Sequence, residues 1–342
     1  MMDIVSMNLQ ELESLMREMD QPAYRAIQIF EWLHKRLLIA ADGAFFYDKT
    51  NNIPKSLQEE LERRCKFPPV SIIDKLTAKD GTVKFLLSMG DVSVESVLMV
   101  YVNGRSLCIS TQAGCRMGCY FCATGQGGFI RNLSAGEMCL QVYAAGDVRN
   151  IVLMGCGEPL DNFDATMRFI ELITHPKCLG IGQRHITLST CGLVPEILAL
   201  AEKNLQINLA VSLHGPDDTT RQALMPIAKR HLIKDVIAAC RKYAQITRRR
   251  ITFEYALAAG VNDSPAHARA LSQLLKGMLC HVNIIPVNAT NDNFSPTKKS
   301  EAKAFMTILE QARIPATIRR TIGAEVDAAC GQLKSRKNGT NK

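Results

Sequence analysis

Apolar residues between positions 9 and 20 fall at Leu9, Leu12, Leu15, Met16 and Met19, a spacing that places them on one stripe of a helix. Pro22 starts a second stretch with Ala26, Ile27, Phe30, Leu33, His34 and Leu37 in the same rhythm, and a third helix is predicted from Pro54 to Arg64. Pro68-Pro69 closes this helical module. Its outward positions include Arg17, Arg25, Lys35, Arg36, Arg63 and Arg64, a face that either grips a polyanion or simply stays solvated. From Val70 to Tyr101 the period shortens to two. Val83 to Leu87 and Val92 to Val100, turning at Asp80-Gly81 and Gly90-Asp91, predict a small antiparallel β unit in which Glu95 interrupts the apolar side.

From Leu107 onward short β-branched runs alternate with helical patterns. Strands are predicted at 107–110, 150–154, 185–189, 207–213, 251–256 and 282–287, and helices near 134–146, 162–174, 195–203, 233–246, 265–278 and 300–312. Ser134-Ala-Gly-Glu137 has the form of a capping box at the head of the first of these helices. Strand-then-helix units imply a parallel sheet. The span holds six of them, short of the ~250 residues of a complete eight-unit barrel, so the expected fold is α/β, a partial (βα)6 TIM-like barrel behind a helical N-terminus and a small β extension. The expected division is 1–66 helical accessory unit, 67–100 β linker, 101–322 core and 323–342 tail.

Composition narrows the setting. With 47% hydrophobic and 22% charged residues the chain reads as an ordinary globular protein, not a disordered one. No stretch approaches the ~20 apolar residues that span a bilayer, and the first residues have no signal-peptide pattern. Twelve scattered cysteines do not make a disulfide scaffold, so a reducing, cytoplasmic setting is expected. A net charge of +8, with clusters at Arg248-Arg249-Arg250, Lys298-Lys299, Arg319-Arg320 and Lys334 to Lys337, points to a polyanionic partner.

The sharpest chemical signal is Cys115-Arg-Met-Gly-Cys119-Tyr-Phe-Cys122. Iron–sulfur clusters are normally held by four cysteine thiolates, so three in one loop imply a cubane with one iron left open for chemistry. Gly114 and Gly118 suit a loop that must turn tightly around inorganic sulfur. The competing reading is a zinc site completed by Cys108 or Cys139, although zinc signatures are usually paired dyads.

In parallel barrels chemistry gathers at the C-terminal ends of strands, and the triplet follows the first. The second strand ends in Met154-Gly155-Cys156-Gly157-Glu158-Pro159, where glycines admit a cofactor to the backbone and Glu158 offers a carboxylate to an amine or hydroxyl. Ser189-Thr-Cys-Gly192, Ser212-Leu213-His214-Gly215 and Pro286-Val287-Asn288 end three others. Singly, Ser189 reads equally as a helix cap and His214 as a core histidine. Four polar ends on one rim make a cofactor pocket.

A Cys-x3-Cys-x-aromatic-Cys triplet followed by Gly-x-Gly-Glu-Pro resembles the radical S-adenosylmethionine (SAM) superfamily. Cys108-Ile-Ser-Thr-Gln-Ala-Gly-Cys115, Gly157-Glu-Pro-Leu-Asp-Asn162, Thr187-Leu-Ser-Thr-Cys-Gly192, Leu209-Ala-Val-Ser-Leu-His214, Leu224-Met-Pro-Ile227 and Asp327-Ala-Ala-Cys-Gly-Gln-Leu333 narrow the resemblance to bacterial RNA adenine-C2 methyltransferases of the RlmN type. It covers nearly the whole chain.

The resemblance implies a [4Fe–4S] cluster on Cys115, Cys119 and Cys122, a SAM pocket lined by Phe121, Gly157, Glu158, Ser189, Ser212, Leu213, His214 and Asn288, and two SAM molecules per turnover. It makes Cys330 a methyl carrier, methylated by one SAM and activated by the 5′-deoxyadenosyl radical of a second. It makes Cys108 the thiol that releases product through a transient disulfide, and Glu95 the proton acceptor. It implies 23S rRNA and tRNA as substrates, an external flavodoxin-type electron donor and a monomer. The sister activity on adenine C8, and a non-catalytic metal-bearing RNA-binding protein, are the alternatives. One departure stands out: relatives usually carry methionine where this chain has Cys156, whose thiol either keeps the packing role or modulates the site. Cys65, Cys139, Cys178, Cys191, Cys240 and Cys280 read as structural thiols.

Overall fold

The computed structural model describes residues 2–35, 37–39, 45–47, 52–287, 294–319, 323–328 and 331–337. The N-terminal stripes form α1 (Leu9–Glu18), α2 (Tyr24–Lys35) and α3 (Lys55–Arg64). Asn8 starts α1 with a reciprocal capping box to Glu11, so two of the orphan N–H groups of that terminus are satisfied. The basic face of this module is largely spent internally. Arg63 and Arg64 both pair with Glu60, Lys35 pairs with Glu31, and Arg25 bonds Gln28 and the Asn52 carbonyl, while Arg36 lies outside the described residues.

The module seats on the core through His34. Its Nδ1 lies 2.6 Å from the Tyr143 hydroxyl, which is 3.3 Å from Cys178 Sγ, and its Nε2 is buried without a partner. Burial, then the neighbouring His175, lowers the His34 pKa to about 3. The folded ring is therefore neutral at pH values where the unfolded one is charged, and stability is lost as pH falls from about 6.5 toward 3. Chemical denaturation should show wild type losing up to about 1.4 kcal/mol more per pH step than His34→Phe below pH 6.5. Parallel profiles for the two proteins between pH 6.5 and 5 would exclude this burial cost.

Strands β1 (Val70–Thr77), β2 (Val83–Met89) and β3 (Val92–Tyr101) form an antiparallel meander, and β4 (Gly104–Cys108) pairs with β3. Next come β5 (Asn150–Leu153), β6 (Ile186–Thr190), β7 (Asn208–Ser212), β8 (Ile251–Leu257), β9 (Cys280–Pro286) and β10 (Ala316–Ile318), each parallel to its predecessor from β4 onward. Strand order thus follows chain order with no switch point, as in a barrel. The intervening helices α4 (Ala135–Ala145), α5 (Phe163–Thr174), α6 (Val194–Glu202), α7 (Ile233–Thr247), α8 (Pro265–Leu275) and α9 (Lys299–Gln311) stand close to their expected positions.

Two features differ from the sequence expectation. A short seventh parallel strand, β10, closes the far edge, and three residues are too few for a periodic signal. The antiparallel strands share one continuous sheet with the barrel, because β3 bonds β4 on its inner edge. Along that same edge β3 also takes the chain's last strand, β11 (Ser335–Lys337), which lies in line with β4 beyond Cys108.

Candidate active site

The loop after β4 is shaped by backbone demands. At Gly114 φ is +78°, and a Cβ there would stand 1.9 Å from the Gly128 carbonyl oxygen, so only glycine lets the loop close on itself. Cys115 N donates to that oxygen and Cys122 N to the Cys119 carbonyl, folding the triplet into a compact turn. Cys115, Cys119 and Cys122 line one cavity at the C-terminal rim of the strands, with Phe121, Gly157, Glu158, Ser189, Ser212 and His214. Burial raises the Cys115 thiol to about 12 and pushes the Cys119 thiol well above its ordinary range. A cationic cluster offsets that cost, since a metal-bound thiol is deprotonated outright.

Three half-buried thiols facing one cavity fit a cluster better than an ion. Among the described residues no group of three or more His, Cys, Asp or Glu is arranged around a single metal ion. The zinc alternative loses its fourth ligand as well. Cys139 lies in α4 beside Tyr143 and Cys178, and Cys108 packs in a separate cluster.

Glu158 is 4% exposed, and its oxygens accept from Cys191 N (2.7 Å) and Leu160 N (3.1 Å). The carboxylate also lines the cavity, where it can meet a ligand's ammonium. Burial raises its pKa, and a cationic group beside it would act in the opposite direction. His214, at φ +56°, accepts the Ala256 N–H at Nδ1 (2.9 Å), which puts its ring hydrogen on Nε2. Burial, then Arg221, lowers its pKa to about 3, and the ring stands edge-on to Phe121 at 4.9 Å. Leu213 is the exception among these residues, since its side chain is fully buried in the hydrophobic core and does not line the cavity. Asn288 lies outside the described residues, although its neighbour Val287 lines the cavity.

A second group of residues sits beside this cavity. Cys108 packs with Val97, Met99, Cys156 and Leu333, and Ala328 lies against them. Cys330 itself is outside the described residues, but Gly331 lines the cofactor cavity. The last turns of the chain are tied to the cysteine loop. Ala123 N donates to the Gly331 carbonyl (2.7 Å) and the Thr124 hydroxyl to the Leu333 carbonyl (2.6 Å). Glu95 accepts the Lys334 N–H (2.9 Å) and pairs with Lys84 (3.3 Å). Cys156 turns away from the cofactor cavity, 3.6 Å from the Thr124 hydroxyl, and burial raises its thiol to about 12.

Several residues of the site were not assigned to it from the sequence, although Met225 lies in the Leu224–Ile227 motif and Arg319 in a basic pair. Glu254, Met225 and Arg319 reach the cavity from separate elements. Arg221 is fully buried and donates to the carbonyls of Leu213 (3.0 Å), Cys191 (3.2 Å) and His231 (3.2 Å), clamping two strand ends. An arginine in a short helix gives no hint from sequence that three distant carbonyls converge on it.

Cluster loop, Gly-x-Gly-Glu-Pro turn and chain-ordered partial barrel together define a radical SAM enzyme, which uses a [4Fe–4S] cluster and SAM, and residues 109–271 match the radical SAM superfamily. Residues 2–67 match the N-terminal domain of ribosomal RNA large subunit methyltransferases. A protein of Clostridium perfringens named as a probable dual-specificity RNA methyltransferase RlmN is 46% identical over 98% of this chain and 97% of its own. One of the same name from Alkaliphilus metalliredigens is 46% identical over 97% and 95%. The crystal structure of a radical SAM methyltransferase from Sphaerobacter thermophilus superposes with a TM-score of 0.90 at 42% identity, covering 97% of this chain and 99% of that one. The chain belongs to the RlmN family of dual-specificity RNA methyltransferases.

Proposed function

We propose that the protein methylates C2 of an adenosine in 23S rRNA and in tRNA, with Cys330 as the methyl carrier and Cys108 as the thiol that frees the product. The observation that carries this reading is the position of the tail. Residues on both sides of Cys330 face the chemistry: Gly331 lines the cofactor cavity, and Ala328 and Leu333 pack in the cluster that contains Cys108. The described residues that flank position 330 thus touch the cofactor cavity and the cluster around Cys108.

Adenine C2 is an electron-poor, amidine-type carbon and does not attack a sulfonium as a nucleophile, so methylation there needs a radical route. The cluster, held by Cys115, Cys119 and Cys122, would supply the electron that turns SAM into a source of a carbon radical. Glu158, Ser189, Ser212, His214 and the turn at Gly157 would hold the polar groups of SAM, with Phe121 packed against it, and Asn288, outside the described residues, is assigned to the same ligand by the resemblance. Cys330 accepts the methyl group, carries it to the base, and leaves as a disulfide with Cys108. Glu95 takes the C2 proton and, through the Lys334 N–H, also keeps the tail in register.

The positive charge grips RNA phosphates, and the target adenosine leaves its stack to reach a buried centre. The N-terminal helical unit, 1–66, and the β unit, 67–100, flank the core, 101–322, and the tail, 323–342. No described helix is long and apolar enough to cross a membrane, and the reading places a monomer in the cytoplasm with a flavodoxin-type donor. Mass spectrometry of nuclease-digested RNA should show 2-methyladenosine after incubation with reconstituted protein, SAM and reductant. Finding 8-methyladenosine alone would reassign the regiochemistry. Absence of 5′-deoxyadenosine would leave only the metal-bearing RNA-binding alternative.

A further inference from the structure

The barrel strands alternate by the period of two. Ile151, Leu153, Ile186, Leu188, Leu209, Val211, Ile251, Phe253, Val282 and Ile284 are buried in the hydrophobic core. Many of the intervening positions, half-buried or buried, line a lumen. Its C-terminal half is the cofactor cavity, reached by Ser189, Ser212 and Ile285. Its N-terminal half is a second cavity of about 720 Å³, reached by Thr187, Asn208, Thr252 and Asn283. Met154, Glu254 and Arg319 line both, so the two cavities meet at one waist. A complete barrel fills this space with layers of branched side chains. Here the polar residues leave it open.

The N-terminal mouth carries Arg248, Arg249 and Arg250. Among the described residues none of the three pairs with a carboxylate. Arg249 gives one N–H to Asn208 Oδ1 (2.6 Å), and its Nε is buried without an acceptor. Glu254, the acidic residue of the cavity, accepts from Asn283 (2.8 Å) and is acted on by Arg319, so it does not offset the triplet. The C-terminal end of α7 favours a cation, which accounts for one arginine there and not for three turned to one opening. Three guanidinium groups without a carboxylate partner around a polar cavity call for oxyanions, and a guanidinium fork matches a phosphate.

We propose that this N-terminal mouth is a second RNA contact, which binds backbone phosphates while the target base is held at the opposite rim. The proposal rests on the chain's reading as an RNA methyltransferase. Strand β7, at about 3.3 Å per residue, separates the two mouths by roughly 17 Å, a few nucleotides of extended strand. A free phosphate compound offers the same chemistry, so the test has an arm for each source.

The full-length reconstituted protein is compared with Arg248→Ser/Arg250→Ser, two exposed positions outside the cofactor site. A substrate RNA hairpin is titrated across a salt series, and inorganic pyrophosphate by calorimetry. The expected result is a slope of log affinity against log salt that is shallower by about 1.4–1.8, the loss of two phosphate contacts, with a raised KM for RNA and unchanged kcat. Arg248→Lys/Arg250→Lys, which keeps the charge, should restore most of the salt slope. RNA-free SAM cleavage should not change. If the RNA slope stays fixed while pyrophosphate binding is lost, the mouth serves a free phosphate ligand and the RNA assignment is overturned. If neither changes, the site itself is overturned. Failure of wild type to methylate RNA would instead strike the underlying functional reading.

Discussion

Cys330→Ala should abolish RNA methylation, by on the order of 10⁴-fold or more, while SAM cleavage by the reduced enzyme continues. In the proposed function Cys330 is a covalent participant, so its loss should not be made good by a residue that merely binds. Cys115, Cys119 and Cys122 keep their own loop, closed by Gly128 and by the Cys119 carbonyl, so the metal site does not need the carrier thiol. Cys108→Ala should fail differently. Cys330 would still deliver the methyl carbon to the base, but with no second thiol to displace it the enzyme stays bonded to its RNA. A denaturing gel should therefore show a protein–RNA adduct with Cys108→Ala and none with the double variant. Free methylated RNA at normal yield from Cys108→Ala would remove the resolving role. That outcome would turn attention to Cys156, which packs in the same cluster as Cys108 and Leu333.

Arg221→Met should destabilise the fold by about 3–5 kcal/mol, read as a lower midpoint in urea at unchanged slope. Its three N–H groups satisfy the carbonyls of Leu213, Cys191 and His231 in the interior, and methionine fills the volume but leaves all three without a donor. Burial lowers the Arg221 pKa, and the nearby Asp218 carboxylate acts in the opposite direction. The loosened segments are the ends of β6 and β7, next to Ser189, Cys191, Ser212 and His214 of the cofactor cavity. SAM affinity should fall with stability. A loss under about 1 kcal/mol would mean that water replaces the guanidinium.

Much of this was written in local order. Ser134 and Glu137 cap α4 as their spacing foretells, because a capping box needs only four consecutive residues. Six strand–helix alternations were legible because each side-chain period is set within one element. The cysteine loop was legible for the same reason, and Gly157-Glu158-Pro159 with it. Other features depend on chain segments that are far apart. Glu95 and Lys334 are bonded across 239 positions, and Thr124 and Leu333 across 209. No window of sequence contains either pair.

The sequence by itself determined the class of chemistry, since thiol number, spacing and the Gly-Glu-Pro turn are short-range requirements of a cluster and its cofactor. It also determined that the core is a chain-ordered α/β barrel. Only the tertiary structure decided that the last strand docks on β3, in line with Cys108, bringing the tail to the mouth of the cofactor cavity. Only the tertiary structure separated the basic residues that are neutralised at Glu31 and Glu60 from the arginines at 248–250 that are not. The reason is the same in both cases: pairing, burial and lumen-facing position are properties of residues distant in sequence, and packing alone brings them together.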